Sequence, residues 1–593
     1  MTKNRRASGL VALAAAGALL LAACGGSGNG NGNSASGSPS GAAPAYNAAL
    51  TGVVNPSTVK GGTLKLGNDA DCDSYDPQRT YYGYCWNLQR LFTRTLMGFA
   101  PKPGVPEIIP DMAVGKPTVN ADKTDWTFEL KPNIKFQDGS VVTTADIKYG
   151  IERMWATDVI IGGPGGYYLC LLDTCAADGT PTWKGPYADP TGSLSTIITP
   201  DATHIEFKLN KPFSDFAFLM ALPAAAPVQK SKDTKGNYQQ VVQSTGPYMI
   251  QSFEAGKQTT WVRNPMWDQS TDDIRHPLVD KVTMQIVSDD ADLDKRITSG
   301  ALDANASDAG ISLPSNYPAI LANPTSKASV DNGPDGATSY LPVFSKITPL
   351  ENKACREAIF YALDKASLLK IAGGDTAGVI ATGMTPPVIA GFEKDYNPYP
   401  SGADGKGDVD KAKQKLTECG QPNGFDLVYT FRTTGVGPQS AAAVQASLAR
   451  AGIRVKLVPA ADPSVYYQTW IGSPASIKAH NIGLASAGWG ADYPSPYGFF
   501  NNIVASTSPP TSNYNQINDP TVDGVLTQLT KADLTDFQKL GADLNHAVMD
   551  TAMLIPTRWS SNFLWRSARM TNAYCQGSFF NVYDWVNVGT GGQ

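Results

Sequence analysis

The chain has 593 residues and sets Lys+Arg 48 against Asp+Glu 53, for a formal net charge of −5. Hydrophobic residues make up 42% and charged residues 17%, which is too apolar for a chain disordered throughout and too long for one small core. A mildly acidic chain with no basic run after its first residues has nothing to grip a phosphate backbone, so nucleic acid is excluded as a partner.

At the N-terminus Lys3, Arg5 and Arg6 precede an uncharged Leu/Ala-rich stretch over residues 9–23, which ends in Leu21-Ala22-Ala23-Cys24. The stretch is too short to span a bilayer comfortably and reads as a targeting segment. It resembles a bacterial lipoprotein signal peptide, which is cut before a cysteine that carries a diacylglyceryl thioether. That resemblance implies a signal peptide over residues 1–23 and lipidation at Cys24, with enough acyl chain for stable anchoring. An ordinary secretory signal with an incidental cysteine is the other reading. Residues 24–59 carry no charged side chain, and Gly25-Gly-Ser-Gly-Asn-Gly-Asn-Gly-Asn within them is a flexible tether that can bury no core.

The body then opens with strands. Gly62-Thr-Leu-Lys-Leu-Gly67 alternates, as do residues 126–130, 204–209 and 282–286. Asp138-Gly139 marks a turn, after which Thr143 or Thr144 caps a helix with Ile147, Ile151 and Met154 on one face. Two later helices carry apolar stripes, Ala354, Ala358, Ile359, Ala362 and Val409, Ala412, Leu416, Cys419. Residues 426–431 form a strand, 439–451 a helix with Val444 and Leu448 inward, and Ile453, Val455 and Leu457 alternate in a second strand after the stop at Gly452. This is a βαβ unit, hence parallel sheet. A third strand over 481–486 leads into a turn crowded with glycine, proline and aromatics, Ala487-Gly-Trp489-Gly-Ala-Asp492-Tyr493-Pro. Such sheets bind ligands beyond the carboxyl ends of their strands, which singles out Arg432 and residues 489–493. An Asp after a glycine turn is equally an ordinary turn former.

Seven cysteines remain besides Cys24. Pairing suits an exported chain, and no spacing suits zinc. Cys72 with Cys85 and Cys170 with Cys175 are the nearest neighbours. Cys355 and Cys419 lie on the two apolar helix stripes and can staple them, or stay as buried thiols. Cys575 is left over. Nucleophile-elbow, phosphate-loop, zincin and dinucleotide fingerprints are absent, and His204, His276, His480 and His546 stand beside no Ser or Cys in a nucleophile setting. The sequence therefore offers no catalytic residues, metal site or cofactor.

Five stretches jointly carry a family likeness. They are Ile134-Lys-Phe-Gln-Asp-Gly-Ser-Val-Val-Thr-Thr-Ala-Asp-Ile-Lys-Tyr-Gly-Ile-Glu-Arg153, Leu209-Asn-Lys-Pro-Phe-Ser-Asp-Phe216, Ser244-Thr-Gly-Pro-Tyr248 with Arg263-Asn-Pro265, Asn352-Lys-Ala-Cys-Arg-Glu-Ala-Ile-Phe-Tyr-Ala-Leu-Asp364, and Gly488-Trp-Gly-Ala-Asp-Tyr-Pro494. In this order they resemble the extracellular solute-binding proteins of peptide-type ABC importers, family 5. Gln137 stands where the family more often has His.

The resemblance implies an α/β, periplasmic-binding-protein-like fold of two lobes joined at a hinge. Lobe I would hold residues 60–322, with a subdomain over 101–200 and a return over 554–593; lobe II would hold 323–553. It further implies a monomeric receptor on the outer face of the cell membrane, which captures an oligopeptide and delivers it to an ABC permease. Asp492 would take the ligand's α-ammonium, with Trp489, Gly490 and Tyr493 beside it. Tyr81, Tyr82, Tyr84 and Trp86, which follow Tyr75-Asp76-Pro77, would face the cleft from the other lobe, and Arg432 is the candidate for a ligand carboxylate. An oligosaccharide or other non-peptide solute is the alternative ligand, and an exported hydrolase the alternative class.

Overall fold

The computed structural model describes residues 45–462 and 465–591. Cys24, the signal peptide and most of the tether lie outside the described residues. Four sheets of three or more strands organise the described chain. In the first, strand Thr63–Asn68 runs parallel to Lys281–Ile286 and Ala304–Asn305, and Lys281–Ile286 continues antiparallel through Gln258–Arg263 to Tyr248–Glu254. The alternation read at Leu64, Lys65 and Leu66 is realised, with both leucines fully buried and Lys65 exposed.

The second sheet pairs Asp125–Glu129 with His204–Lys208 and carries short strands at each edge. Trp126, Phe128, Ile205 and Phe207 bury into one apolar cluster with Ile147 and Ile151 of helix Thr144–Glu152. That helix starts where expected, because the Asp146 carboxylate accepts from the Thr143 backbone N–H at 2.9 Å and closes a capping box. Met154, expected on the same helix, lies just past it in the 3₁₀ turn Arg153–Trp155 and is buried all the same.

The βαβ unit forms as read. Asp426–Phe431 is flanked by Arg454–Pro459 and Ile482–Ala485, all parallel. Its connecting helix Gly437–Ala449 begins two residues earlier than the sequence suggested and closes at Gly452, whose φ of +97° suits only glycine. The segment after Ser486 corrects the sequence reading. Ala487–Gly490 is a strand rather than a turn, antiparallel to Pro334–Pro342. Gly488 and Gly490 have no side chains to alternate, so this pairing left no periodic trace. Pro334–Pro342 also pairs with Leu554–Ser561, which Gly378–Ile380 edges, to complete a four-stranded antiparallel sheet.

Helices Lys353–Ala362 and Val409–Glu418 face each other, and Cys355 is bridged to Cys419. Cys72–Cys85 and Cys170–Cys175 are the other bridges, and Cys575 is a buried free thiol. No helix among the described residues is long and apolar enough to cross a membrane.

Several contacts join the strand-rich first part to the later α/β part. Ser214 N–H donates to the Thr530 carbonyl at 2.9 Å, Lys123 pairs with Asp533 at 2.5 Å, and Phe213 meets the Tyr497 ring edge-on at 5.6 Å. Between them the buried Asp215 carboxyl accepts from the Ser495 hydroxyl, while its Oδ1 has no partner. Burial pushes the carboxyl up from 3.8 to about 7, against the pull of the Ser495 hydroxyl. A carboxyl that holds its proton more tightly when folded favours folding fully below pH 3.8, and that advantage is lost as pH rises through about 7. Asp215→Asn is therefore expected to raise stability by up to about 4 kcal/mol at pH 8 and by almost nothing at pH 4, as read from urea unfolding at each pH. An equal gain at both would remove ionisation as the cause.

Candidate ligand-binding site

The site begins with the loop that the Cys72–Cys85 bridge closes. Inside it the Asp76 carboxylate accepts from Arg153 at 2.8 and 2.9 Å, with both side chains wholly buried. The Asp73 carboxylate accepts from the Thr80 hydroxyl at 2.8 Å and the Tyr81 N–H at 2.6 Å. Together these fix where Tyr81 leaves the loop. A glycine-rich turn passes alongside, its Gly163 N–H donating to the Arg79 carbonyl at 2.9 Å. A Cβ on Gly163 would stand 2.1 Å from the Gln78 carbonyl oxygen, so only glycine allows this approach. The turn presents Tyr167 beside Tyr81.

Both tyrosines meet Asp492, which follows strand Ala487–Gly490. Tyr81 donates its hydroxyl to Asp492 Oδ2 at 2.7 Å, and the Tyr167 hydroxyl donates to the same oxygen. Asp492 Oδ1 accepts no hydrogen bond among the described residues, and no cation pairs with this carboxylate. Burial raises the Asp492 carboxyl above the usual carboxylate range, opposed by the two hydroxyls, Tyr167 first. A cavity of about 410 Å³ opens next to this cluster, lined by Tyr81, Tyr167, Phe213, Tyr497 and Asn502 with Lys211 at its edge. That volume lies in the range of small-molecule and short-peptide pockets.

A model of the bacterial extracellular solute-binding proteins, family 5, matches residues 107–510. The chain belongs to this family. The periplasmic oligopeptide-binding protein OppA of Salmonella typhimurium is 25% identical to it over 514 residues, covering 84% of this chain and 87% of that protein. The probable D,D-dipeptide-binding periplasmic protein DdpA of Escherichia coli is 25% identical over 449 residues, 74% and 76% of the two chains. Among solved structures, clavulanic acid biosynthesis oligopeptide binding protein 2 superposes with a TM-score of 0.87 at 34% identity, covering 93% of this chain and all of its own. The murein tripeptide binding protein MppA in its unliganded open form gives 0.72 at 20% identity, covering 91% and 98%. The fold is accordingly the two-lobed, mixed helix and strand fold of periplasmic binding proteins, and this family 5 member is a solute-binding protein, not an enzyme.

The structure places the other expected site residues unevenly. Trp489 lies in the strand Ala487–Gly490, half-buried, and its indole N–H donates to the Phe499 carbonyl at 2.6 Å. Tyr493 lines the cavity and stacks on Phe218 at 6.0 Å. Tyr82 is 55% exposed and stacks on Tyr84 at 6.0 Å, outside the cavity lining. Trp86 is core instead: 2% exposed, it packs edge-on to Tyr81 and Phe579 and donates to the Thr80 carbonyl at 3.0 Å. Neither Asp492 nor Arg432 is among the residues that line that cavity, and the Arg432 guanidinium lies 5.7 Å from the Tyr467 ring centre.

Sequence reasoning missed most of the cavity lining, including Tyr167, Phe213, Tyr497 and Asn502, and it missed Phe580. Tyr167 is flagged only by Gly162-Gly-Pro-Gly-Gly-Tyr167, a loop signal beside two tyrosines. Phe580 was invisible: a Cβ on Gly83 would fall 2.2 Å from its ring and one on Gly490 3.0 Å from it. The two glycines thus make room for that ring, and no local pattern announces it.

Proposed function

We propose that this protein captures oligopeptides outside the cell and delivers them to the transmembrane subunits of an ABC permease, held at the membrane by lipid on Cys24. The observation that carries this reading is the Asp492 carboxylate. Asp492 is half-buried, and among the described residues its carboxylate has two tyrosine hydroxyls on one oxygen, no hydrogen bond on the other and no cationic partner. A peptide's α-ammonium supplies the missing charge through a short, charge-assisted bond. Oligopeptide and dipeptide binding by OppA and DdpA supports the same class of ligand.

In this reading residues 60–322 with 554–593 make one lobe, residues 323–553 the other, and the strands Pro334–Pro342 and Leu554–Ser561 are the paired crossings between them. Tyr81 and Tyr167 come from the first lobe and Asp492 from the second. A ligand held by all three binds only when the lobes meet, so its differential affinity drives closure.

Native mass spectrometry of the full chain purified from its own host membranes tests this. The expected result is a mature chain beginning at a lipidated Cys24 that releases a ladder of peptides on denaturation. Release of one sugar or small metabolite instead would overturn the peptide assignment, and an unmodified Cys24 would overturn the anchor.

A further inference from the structure

The segment whose composition reads as a flexible tether ends in ordered structure. Residues 45–57 lie along the stretches of chain that flank strands Pro334–Pro342 and Leu554–Ser561. The Asn47 N–H donates to the Val330 carbonyl at 2.9 Å, and its side-chain oxygen accepts from the Asn332 N–H at 2.7 Å. Between these bonds the Ala49 N–H donates to one oxygen of buried Asp331 at 2.9 Å. The other Asp331 oxygen accepts from Arg566 and from the Tyr583 hydroxyl, and Arg566 also donates to the Ala45 carbonyl at 2.9 Å. Ala49 is fully buried, and Leu50 seats in the space that Gly333 leaves, where a Cβ would stand 2.5 Å from a Leu50 methyl. Further on, the Val54 N–H donates to the Ala573 carbonyl at 2.8 Å, and Ser57 and Asn572 exchange bonds of 2.6 and 2.9 Å.

We propose that residues 45–57 form a strap that braces the hinge with the two lobes together. The proposal rests on the two-lobe reading above, in which residues 330–333 lead into one crossing, residues 562–566 leave the other, and Thr376 belongs to the second lobe. Asn332 is the node. Its backbone N–H is held by Asn47 of the strap, while its side-chain amide donates to the Thr376 carbonyl at 2.9 Å and the Asn562 carbonyl at 2.5 Å. Hinge opening is absorbed by dihedral changes in a few residues at such crossings. Asn332 is bonded at once to the strap, the return crossing and the second lobe, so it cannot turn without giving up some of those bonds, and each bond left unmade opposes the turn. The strap thus favours the closed setting from the side of the hinge, far from the ligand. A ligand that needs the lobes together is held longer by a strapped receptor than by one whose strap is released.

Hydrogen–deuterium exchange of the full chain without added peptide tests this at two places. Residues 330–333 report the strap's own contact, and the Ser214 N–H, bonded to the Thr530 carbonyl at 2.9 Å, reports the contact between the lobes. Asn47→Gly combined with Leu50→Ala preserves the left-handed backbone at residue 47, where φ is +65°, and removes the acceptor for Asn332 and the side chain seated at Gly333. This double variant is expected to speed exchange about five- to tenfold at both places. Val53→Ser, on the exposed side of the strap, should change neither. Faster exchange at 330–333 alone overturns the brace, and no change at either place overturns the strap's hold altogether. Should exchange rise over the whole chain, the double variant has unfolded, and Asn47→Gly alone decides by the same two readouts, with a smaller rise expected at both. Tyr81→Phe combined with Tyr167→Phe removes the two hydroxyls given to Asp492 and separates the two readings. If it speeds Ser214 exchange where the strap variants do not, the strap falls and the two-lobe reading stands; if neither does, both fall.

Discussion

Replacing Asp492 with Asn is expected to weaken binding of a peptide with a free amino terminus by roughly 30- to 100-fold, equivalent to about 2–3 kcal/mol. The amide keeps the shape of the carboxylate and can still accept from Tyr81 and Tyr167 through its oxygen, so the loss reports charge rather than packing. The same peptide acetylated at its amino terminus should bind wild type and Asp492→Asn alike, since it brings no cation to either. Calorimetric titration of the two peptides into the two proteins completes the cycle. If the free and acetylated peptides lose equally, the ammonium is held elsewhere and the assignment of Asp492 fails.

The second large effect lies behind the site. Arg153→Met should destabilise the protein by about 3–5 kcal/mol, because it leaves Asp76 and Asp233 buried without their cation. Those side chains are 0% and 2% exposed, so water cannot replace the guanidinium. The Tyr238 ring, 4.6 Å below the guanidinium, loses a cation–π contact as well. Asp76 opens the segment that ends in Tyr81, so peptide affinity should fall together with stability. Adding Asp76→Asn to Arg153→Met is expected to recover part of the loss, as one uncompensated charge disappears. Urea midpoints for the parent and these variants decide it; an unshifted midpoint for Arg153→Met would show that the network carries no stability.

Legibility in the sequence followed the range of the interactions involved. The capped helix at Thr143 and the βαβ unit were readable because each is encoded by neighbours within a few residues: a Thr three positions before an Asp, an apolar stripe, a stop at Gly452. The two stripes left Cys355 and Cys419 open between a staple and a pair of buried thiols, and the facing of the two helices decided for the bridge. Strand Ala487–Gly490 was misread for the converse reason. Its pairing partner is Pro334–Pro342, about 150 residues earlier, and its glycines carry no periodic signal. Trp86 illustrates the same limit: an aromatic run shows that large rings are present without showing which of them the core takes.

By itself the sequence determined the export segment as an expectation, the family, the α/β character and the place of Asp492 beyond the carboxyl end of a parallel strand. Each of these depends on composition, periodicity or an ordered motif, and all three are properties of the linear chain. Only the tertiary structure decided that Tyr81 and Tyr167 share one oxygen of Asp492, that Phe580 fills the space left by Gly83 and Gly490, and that Arg432 stays out of the cavity beside Asp492. Tyr81 and Asp492 are 411 residues apart, and no local pattern specifies which distant side chains will neighbour a half-buried charge. That choice is made when the sheets and helices pack, because a carboxylate or guanidinium drawn out of water must find its partners among whatever the packing brings to it.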